Sequence, residues 1–215
     1  MDQQLGLRER KKRKTREVIA ETARRLFSER GFDRVTVAEI ARAADVAEKT
    51  VFNYFPTKED LVYWRMESFE DELLETIRAR GPGESVVAAF GRFVSEPRGL
   101  IAARDPESRD RLEAITRMIT ESRALRAREE QIYARYTASL AGLIALEAGT
   151  ADDDIAPWVA ANAMMGVHRA LVDYTRRRIV AGDRGPRVAR DVRVQAKQAL
   201  ALLEEGLGEL ARRRS

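Results

Sequence analysis

Residues 36–61 read Thr-Val-Ala-Glu-Ile-Ala-Arg-Ala-Ala-Asp-Val-Ala-Glu-Lys-Thr-Val-Phe-Asn-Tyr-Phe-Pro-Thr-Lys-Glu-Asp-Leu. Thr36 followed three residues later by Glu39 is a capping box, in which each side chain satisfies the other residue's backbone N–H, and Val35 and Ile40 fall at the two positions of a hydrophobic staple. A helix therefore opens at Thr36 and runs through Ile40 and Ala41. At Ala44-Asp45 the chain turns, because Asp tolerates left-handed backbone, though less readily than Gly. A second staple, Val46 to Val51, opens another helix that must stop before Pro56, whose ring and missing N–H break helical pairing. Two short helices joined by a tight turn form the helix-turn-helix pattern, in which the second helix enters the DNA major groove.

On that second helix the apolar Val46, Val51 and Phe55 face a small core, leaving Glu48, Lys49, Thr50 and Asn53 towards the other side. Lys fits guanine O6 and N7, Asn fits adenine N6 and N7, and Thr offers a hydroxyl or a methyl to thymine. Glu48 repels phosphate; it either accepts from cytosine N4 or simply favours the positive end of the helix.

The stretch resembles the DNA-binding motif of the TetR family of bacterial transcriptional regulators, through Thr36, Val37, Ile40, Ala41, Ala44, Val46, Thr50, Val51, Phe55, Pro56, Lys58, Glu59 and Leu61. Beyond this segment the likeness is one of length and helical layout. The resemblance implies phosphate contacts from Thr36 at a helix N-terminus, from Tyr54, and from Lys58 at the start of the next helix. Four positions depart from the family pattern. Asp45 replaces the usual turn Gly, Ala47 stands where Ser or Thr commonly caps the recognition helix, Phe52 replaces a common Tyr, and Tyr54 replaces a common His.

With 215 residues, 44% hydrophobic and 34% charged, the chain is long enough for a substantial core and has the composition of a helix-rich globular protein. The net charge is +4, and residues 1–60 carry 14 Lys/Arg against 11 Asp/Glu, so most of the excess lies with the helix-turn-helix, as a phosphate-binding surface requires. From Arg8 to Arg16 there are seven basic residues and one acidic one; alone this is a solvated tail, but one helix before the motif it is better placed as a phosphate-contacting arm. Residues 1–9 lack apolar periodicity and are expected to fray. The absence of cysteine excludes disulfides, thiolate metal sites and a Cys nucleophile, and a single histidine, His168, excludes multi-histidine metal sites. With no glycine-rich phosphate loop, no nucleophile elbow and no paired carboxylates, the sequence predicts no enzyme, no catalytic residue, no cofactor and no metal. No apolar run approaches the length of a membrane span and no signal-peptide core is present, so a cytoplasmic location without membrane association is expected.

Elsewhere the apolar spacing is helical throughout and no period-two pattern competes. The expected architecture is all-α, about nine helices, divided into a DNA-binding domain of residues 1–56 and a helical ligand-binding and dimerisation domain of residues 57–215. Ile19, Ala23, Leu26 and Phe27 stripe the first helix, with Gly31 as its C′ residue and Phe32 packing back on Phe27. Thr57 caps a long helix to about residue 80, with Asp60 at N3. A shorter helix carrying Val86, Phe90, Phe93 and Val94 is expected to end near Pro97, with further helices near 107–121, 122–148, 155–181 and 187–211, the last with a seam of Ala196, Leu200, Leu203, Leu207 and Leu210 suited to packing on another long helix. Asp152-Asp153-Asp154 reads as a helix start, where carboxylates meet the positive dipole end, and not as a metal site.

His168 faces inward among Met164, Leu171, Val172 and Thr175. A lone inward His is more often a hydrogen-bonded core residue. The alternative is a polar anchor in an apolar effector pocket walled by Phe90, Phe93, Met118, Tyr136, Trp158 and Met164. The family resemblance thus implies a sequence-specific transcriptional repressor, a homodimer on a palindromic double-stranded operator, released by a partly apolar small molecule. Helices 155–181 and 187–211 are expected to form the dimer interface and the 57–80 helix to carry the coupling. Two other readings compete: a basic architectural protein without sequence preference, and a helical ligand carrier with a vestigial motif.

Overall fold

The computed structural model describes residues 6–96, 105–151, 153–183 and 185–207. Among them are ten α-helices and no strand: α1 (Leu7–Arg30), α2 (Val37–Ala43), α3 (Glu48–Tyr54), α4 (Asp60–Tyr63), α5 (Glu67–Arg78), α6 (Val86–Ser95), α7 (Pro106–Glu121), α8 (Arg123–Ala148), α9 (Ala156–Val180) and α10 (Gly185–Leu207). None of the described helices is long and apolar enough to cross a membrane. The all-α expectation holds.

Two compact units result. The first runs to Glu67 and takes in Met118–Arg128; the second comprises Ser68–Arg117 and Glu129 onward. Residues 57–67, which the sequence reading groups with the helical second domain, therefore lie in the first unit.

In the first unit, α1 packs on α2 and α4, and α2 on α3, burying Ile19, Ala20, Ala23, Leu26 and Phe27 together with Ile40, Ala41, Val51, Phe55 and Leu61. Gly31 ends α1 at φ 83° as its C-cap, one position before the expected C′, and Phe32 packs on Phe27 with ring centroids 5.1 Å apart, as expected. Contrary to the expected fraying up to residue 9, α1 already begins at Leu7. The strong helix formers Leu7, Arg8, Glu9, Arg10, Lys11 and Lys12 extend it without any apolar stripe.

The expected long helix over 57–80 is broken. Thr57 and Asp60 do form a capping box, with the Thr57 N–H and hydroxyl both donating to Asp60 Oδ2, at 3.0 and 2.8 Å. But α4 lasts one turn and a 3-10 turn, Trp64–Met66, separates it from α5. Val62, Tyr63 and Trp64 are β-branched or aromatic and have lower helix propensity than the residues around them. Tyr63 is also held from outside the helix, its hydroxyl donating to the Leu125 carbonyl at 3.0 Å. Arg128 donates to Asp60 Oδ1 at 2.8 Å, so the start of α8 is fastened into the first unit at two points.

The second unit is built round α6, on which Val86, Val87, Ala89, Phe90, Gly91 and Phe93 are all buried. Its N-cap Ser85 accepts from the Ala88 N–H at 3.0 Å. α10 packs on α6 and α9 through Val188, Val192, Ala196 and Leu200. At Gly91 the approach is so close that a Cβ would lie 2.8 Å from Leu200 Cδ1, so a side chain there would require Leu200 to shift. The α9–α10 turn is closed by Arg178, which pairs with Asp183 and Asp191 and donates to the Tyr174 hydroxyl. Leu210 of the expected seam lies outside the described residues.

Candidate nucleic-acid interface

Of three local devices that set the geometry of a helix-turn-helix, two are present here. At the start of α2 the Thr36 N–H donates to Glu39 Oε2 at 2.8 Å, while the Glu39 N–H donates back to the Thr36 hydroxyl at 3.2 Å. Arg30 adds a bond to the other Glu39 oxygen at 2.7 Å. The Thr36 backbone N–H, then Arg30 and the Thr36 hydroxyl, hold the Glu39 carboxyl down at about 2, so the box stays charged at any physiological pH. At the end of α2 the Asp45 N–H donates to Arg42 O at 3.3 Å and the Val46 N–H to Ala41 O at 3.0 Å, a Schellman turn with Asp45 in its left-handed position at φ 53°. The third device is missing: Ala47 stands at the N-cap of α3, and no side chain caps that helix.

Val51 and Phe55 seat α3 in the core. What remains outward is a single exposed face of Glu48, Lys49, Phe52 and Asn53, with Thr50 and Tyr54 half-buried at its edges. Positions 49, 52 and 53 are neighbours across one helical turn. They present an ammonium, a phenyl ring and a carboxamide side by side. The sequence reading notes Phe52 only as the replacement of a common Tyr; its 47% exposure makes it part of this face.

Thr36 is exposed, but its hydroxyl is engaged in the capping box. Lys58 is tied inward. Its ammonium donates to the carbonyls of Phe32 and Val35 at 2.9 and 3.1 Å and lies 4.1 Å from the Phe32 ring centroid. That bracing of the α1–α2 link was invisible in a local reading, because the partners lie 23 and 26 residues away. Along the first turns of α1, Arg8, Arg10, Lys11, Lys12, Arg13 and Lys14 are exposed.

In the second unit the aromatic residues named from sequence come together only in part. Phe69 is the hub: its ring centroid lies 5.1 Å from Phe93, 5.4 Å from Tyr136 and 4.6 Å from His168. Tyr133 completes the group, meeting His168 edge-on at 5.8 Å and Tyr136 at 6.4 Å. Phe90 and Met164 are buried in the same unit, one helical turn from Phe93 and His168 respectively. Trp158 is 51% exposed, and Met118 belongs to the first unit. Sequence reasoning missed Phe69 and Tyr133 as cluster members, although Tyr133 and Tyr136 sit three apart on one helix face, a spacing that brings side chains together.

Burial, and secondarily Arg176, pushes His168 down to about 4, so its imidazole is neutral at physiological pH. Arg176 itself is held by Glu129 through two hydrogen bonds. The Tyr133 hydroxyl is buried without a hydrogen-bond partner, and burial pushes its ionisation up. An orphaned buried hydroxyl is costly. It is also an unused donor, on a ring that meets the neutral His168 imidazole edge-on.

Residues 19–63 match the family model of bacterial regulatory proteins, tetR family. The chain is 30% identical over 159 residues to the HTH-type transcriptional regulator TcmR of Streptomyces glaucescens, covering 71% of this chain and 69% of that protein. Among solved structures it is similar to NalD, the secondary repressor of the MexAB-OprM multidrug efflux pump in Pseudomonas aeruginosa, with a TM-score of 0.51 and 21% identity, over 94% of this chain and 98% of that one. SmeT, solved as a triclosan complex, shares the fold with a TM-score of 0.52 and 16% identity, over 89% and 90% of the two chains.

Proposed function

Since the chain belongs to the TetR family of bacterial transcriptional regulators, we propose that it is a repressor that binds a palindromic operator as a homodimer and releases it on binding a small molecule. The observation that carries this reading is the outward face of α3. Two core residues, Val51 and Phe55, and a Schellman turn fix it, yet its exposed side chains lie outside that core. In this reading Lys49 and Asn53 address base edges, with Thr50 beside them, while Thr36, Tyr54 and the basic start of α1 address phosphates. Lys58 acts by fixing the position of the motif and adds its charge to the same surface.

The second unit supplies the dimer and the effector site. Trp158, Val159, Val180, Val194 and Leu202 leave apolar surface on the outer sides of α9 and α10, which a second copy would cover. The effector would enter the ring cluster of Phe69, Phe93, Tyr136 and His168 and take the free Tyr133 hydroxyl as its hydrogen-bond donor. It is accordingly a molecule with a broad apolar body and an acceptor oxygen or nitrogen. NalD and SmeT, a pump repressor and a triclosan-binding protein, support that direction.

Selection of bound duplexes from a random-sequence pool tests the reading. It should return a two-fold-symmetric sequence whose half-site centres lie about one helical turn apart. A pool that stays random favours phosphate-only binding and the architectural alternative.

A further inference from the structure

Phe52 lies outside the core, 47% exposed, and has no hydrogen-bonding chemistry to offer DNA, yet it stands on the outward α3 face. Its neighbours in the chain, Val51 and Asn53, divide cleanly: one is 1% exposed in the core, the other faces out with Phe52. Lys49 is three residues before it and shares its exposed face, so the phenyl ring lies beside a side chain proposed to read bases. Along the major-groove edges of the four base pairs the one apolar group is the C5 methyl of thymine. A half-exposed phenyl ring brought against those edges loses water favourably only where it meets that methyl.

We infer that Phe52 is a specificity-determining residue that selects thymine in each half-site by packing its ring on the 5-methyl group. The inference rests on α3 entering the major groove, as proposed above. It assigns a gain to the replacement of tyrosine at this position: a hydroxyl that would seek phosphate or water is absent, and the ring is left to an apolar partner.

The test uses the full-length protein and the duplex it selects from a random pool, remade with deoxyuracil in place of thymine one position at a time. Each replacement removes one methyl group and leaves every hydrogen-bonding edge intact. The wild-type protein should lose affinity about fourfold at one thymine in each half-site, the worth of one buried methyl group. Phe52→Ala should bind the thymine and uracil duplexes equally at that position, and Phe52→Tyr, which keeps the ring, should still distinguish them. An Ala variant that retains the full response to uracil overturns the inference, as does a wild-type protein indifferent to uracil at every position; the ring then packs on sugar or backbone. A selected half-site that contains no thymine overturns it too. If the pool yields no preferred sequence, the operator reading itself fails and this inference falls with it.

Discussion

Single side chains in this protein are committed to different tasks by where their charges go. Lys58 and Lys49 carry the same ammonium, but Lys58 donates to two carbonyls of the α1–α2 link while Lys49 stands exposed on α3. Lys58→Ala should therefore lower folding stability by about 2 kcal/mol, the loss of hydrogen bonds from a charged donor to half-buried carbonyls, and any loss of DNA affinity should be shared by all sequences. Urea unfolding beside binding to cognate and random duplexes checks both halves; unchanged stability would return Lys58 to the role of a free phosphate contact. His168 makes a second residue-scale prediction. Its folded-state value near 4 lies below the 6.5 of an exposed histidine, so between those values the unfolded chain takes up a proton that the folded one refuses. This contribution to stability is intact above pH 6.5 and is lost progressively as the pH falls towards 4. The urea midpoint of wild type should drop over that window more than that of His168→Gln, and parallel curves would contradict the assignment.

At the scale of elements, the devices written within four or five residues of one another were legible in the sequence. The Thr36–Glu39 and Thr57–Asp60 boxes, the left-handed Asp45, the Gly31 cap with its Phe27–Phe32 contact, and the termination of α3 before Pro56 all needed only local chemistry. What local reading could not reach was set by distant partners. The break between α4 and α5 coincides with Tyr63 donating to Leu125, 62 residues on, and Asp60 taking Arg128, 68 residues on. For the same reason Phe69 looked like an ordinary stripe residue until α6, α8 and α9 brought their rings to it. The uncapped start of α3 yields a prediction of its own. Ala47→Ser should stabilise the protein by about 1 kcal/mol by giving α3 the side-chain cap it lacks. Thermal unfolding measures this, and a destabilised variant would mean that residue 47 does not act as an N-cap.

For the whole molecule, the account depends on two recognition helices presented together, and it places the second copy on the outer sides of α9 and α10. Trp158→Glu puts a charge into that surface and should convert the dimer to a monomer in light scattering. Operator affinity should fall at least about tenfold, equivalent to roughly 1.4 kcal/mol; a variant that remains dimeric would move the interface elsewhere. The chain's continuity between the units, at Glu67–Ser68, Arg117–Met118 and Arg128–Glu129, gives an effector three covalent routes to the DNA-binding unit. An effector acts through them only by favouring one arrangement over another. The central claim, that α3 reads sequence, is tested most directly by equilibrium titration of wild type and Asn53→Ala against the selected operator and a random duplex at one salt concentration. The account predicts that the substitution costs about 1–3 kcal/mol on the operator and almost nothing on random DNA. An equal loss on both duplexes would contradict it.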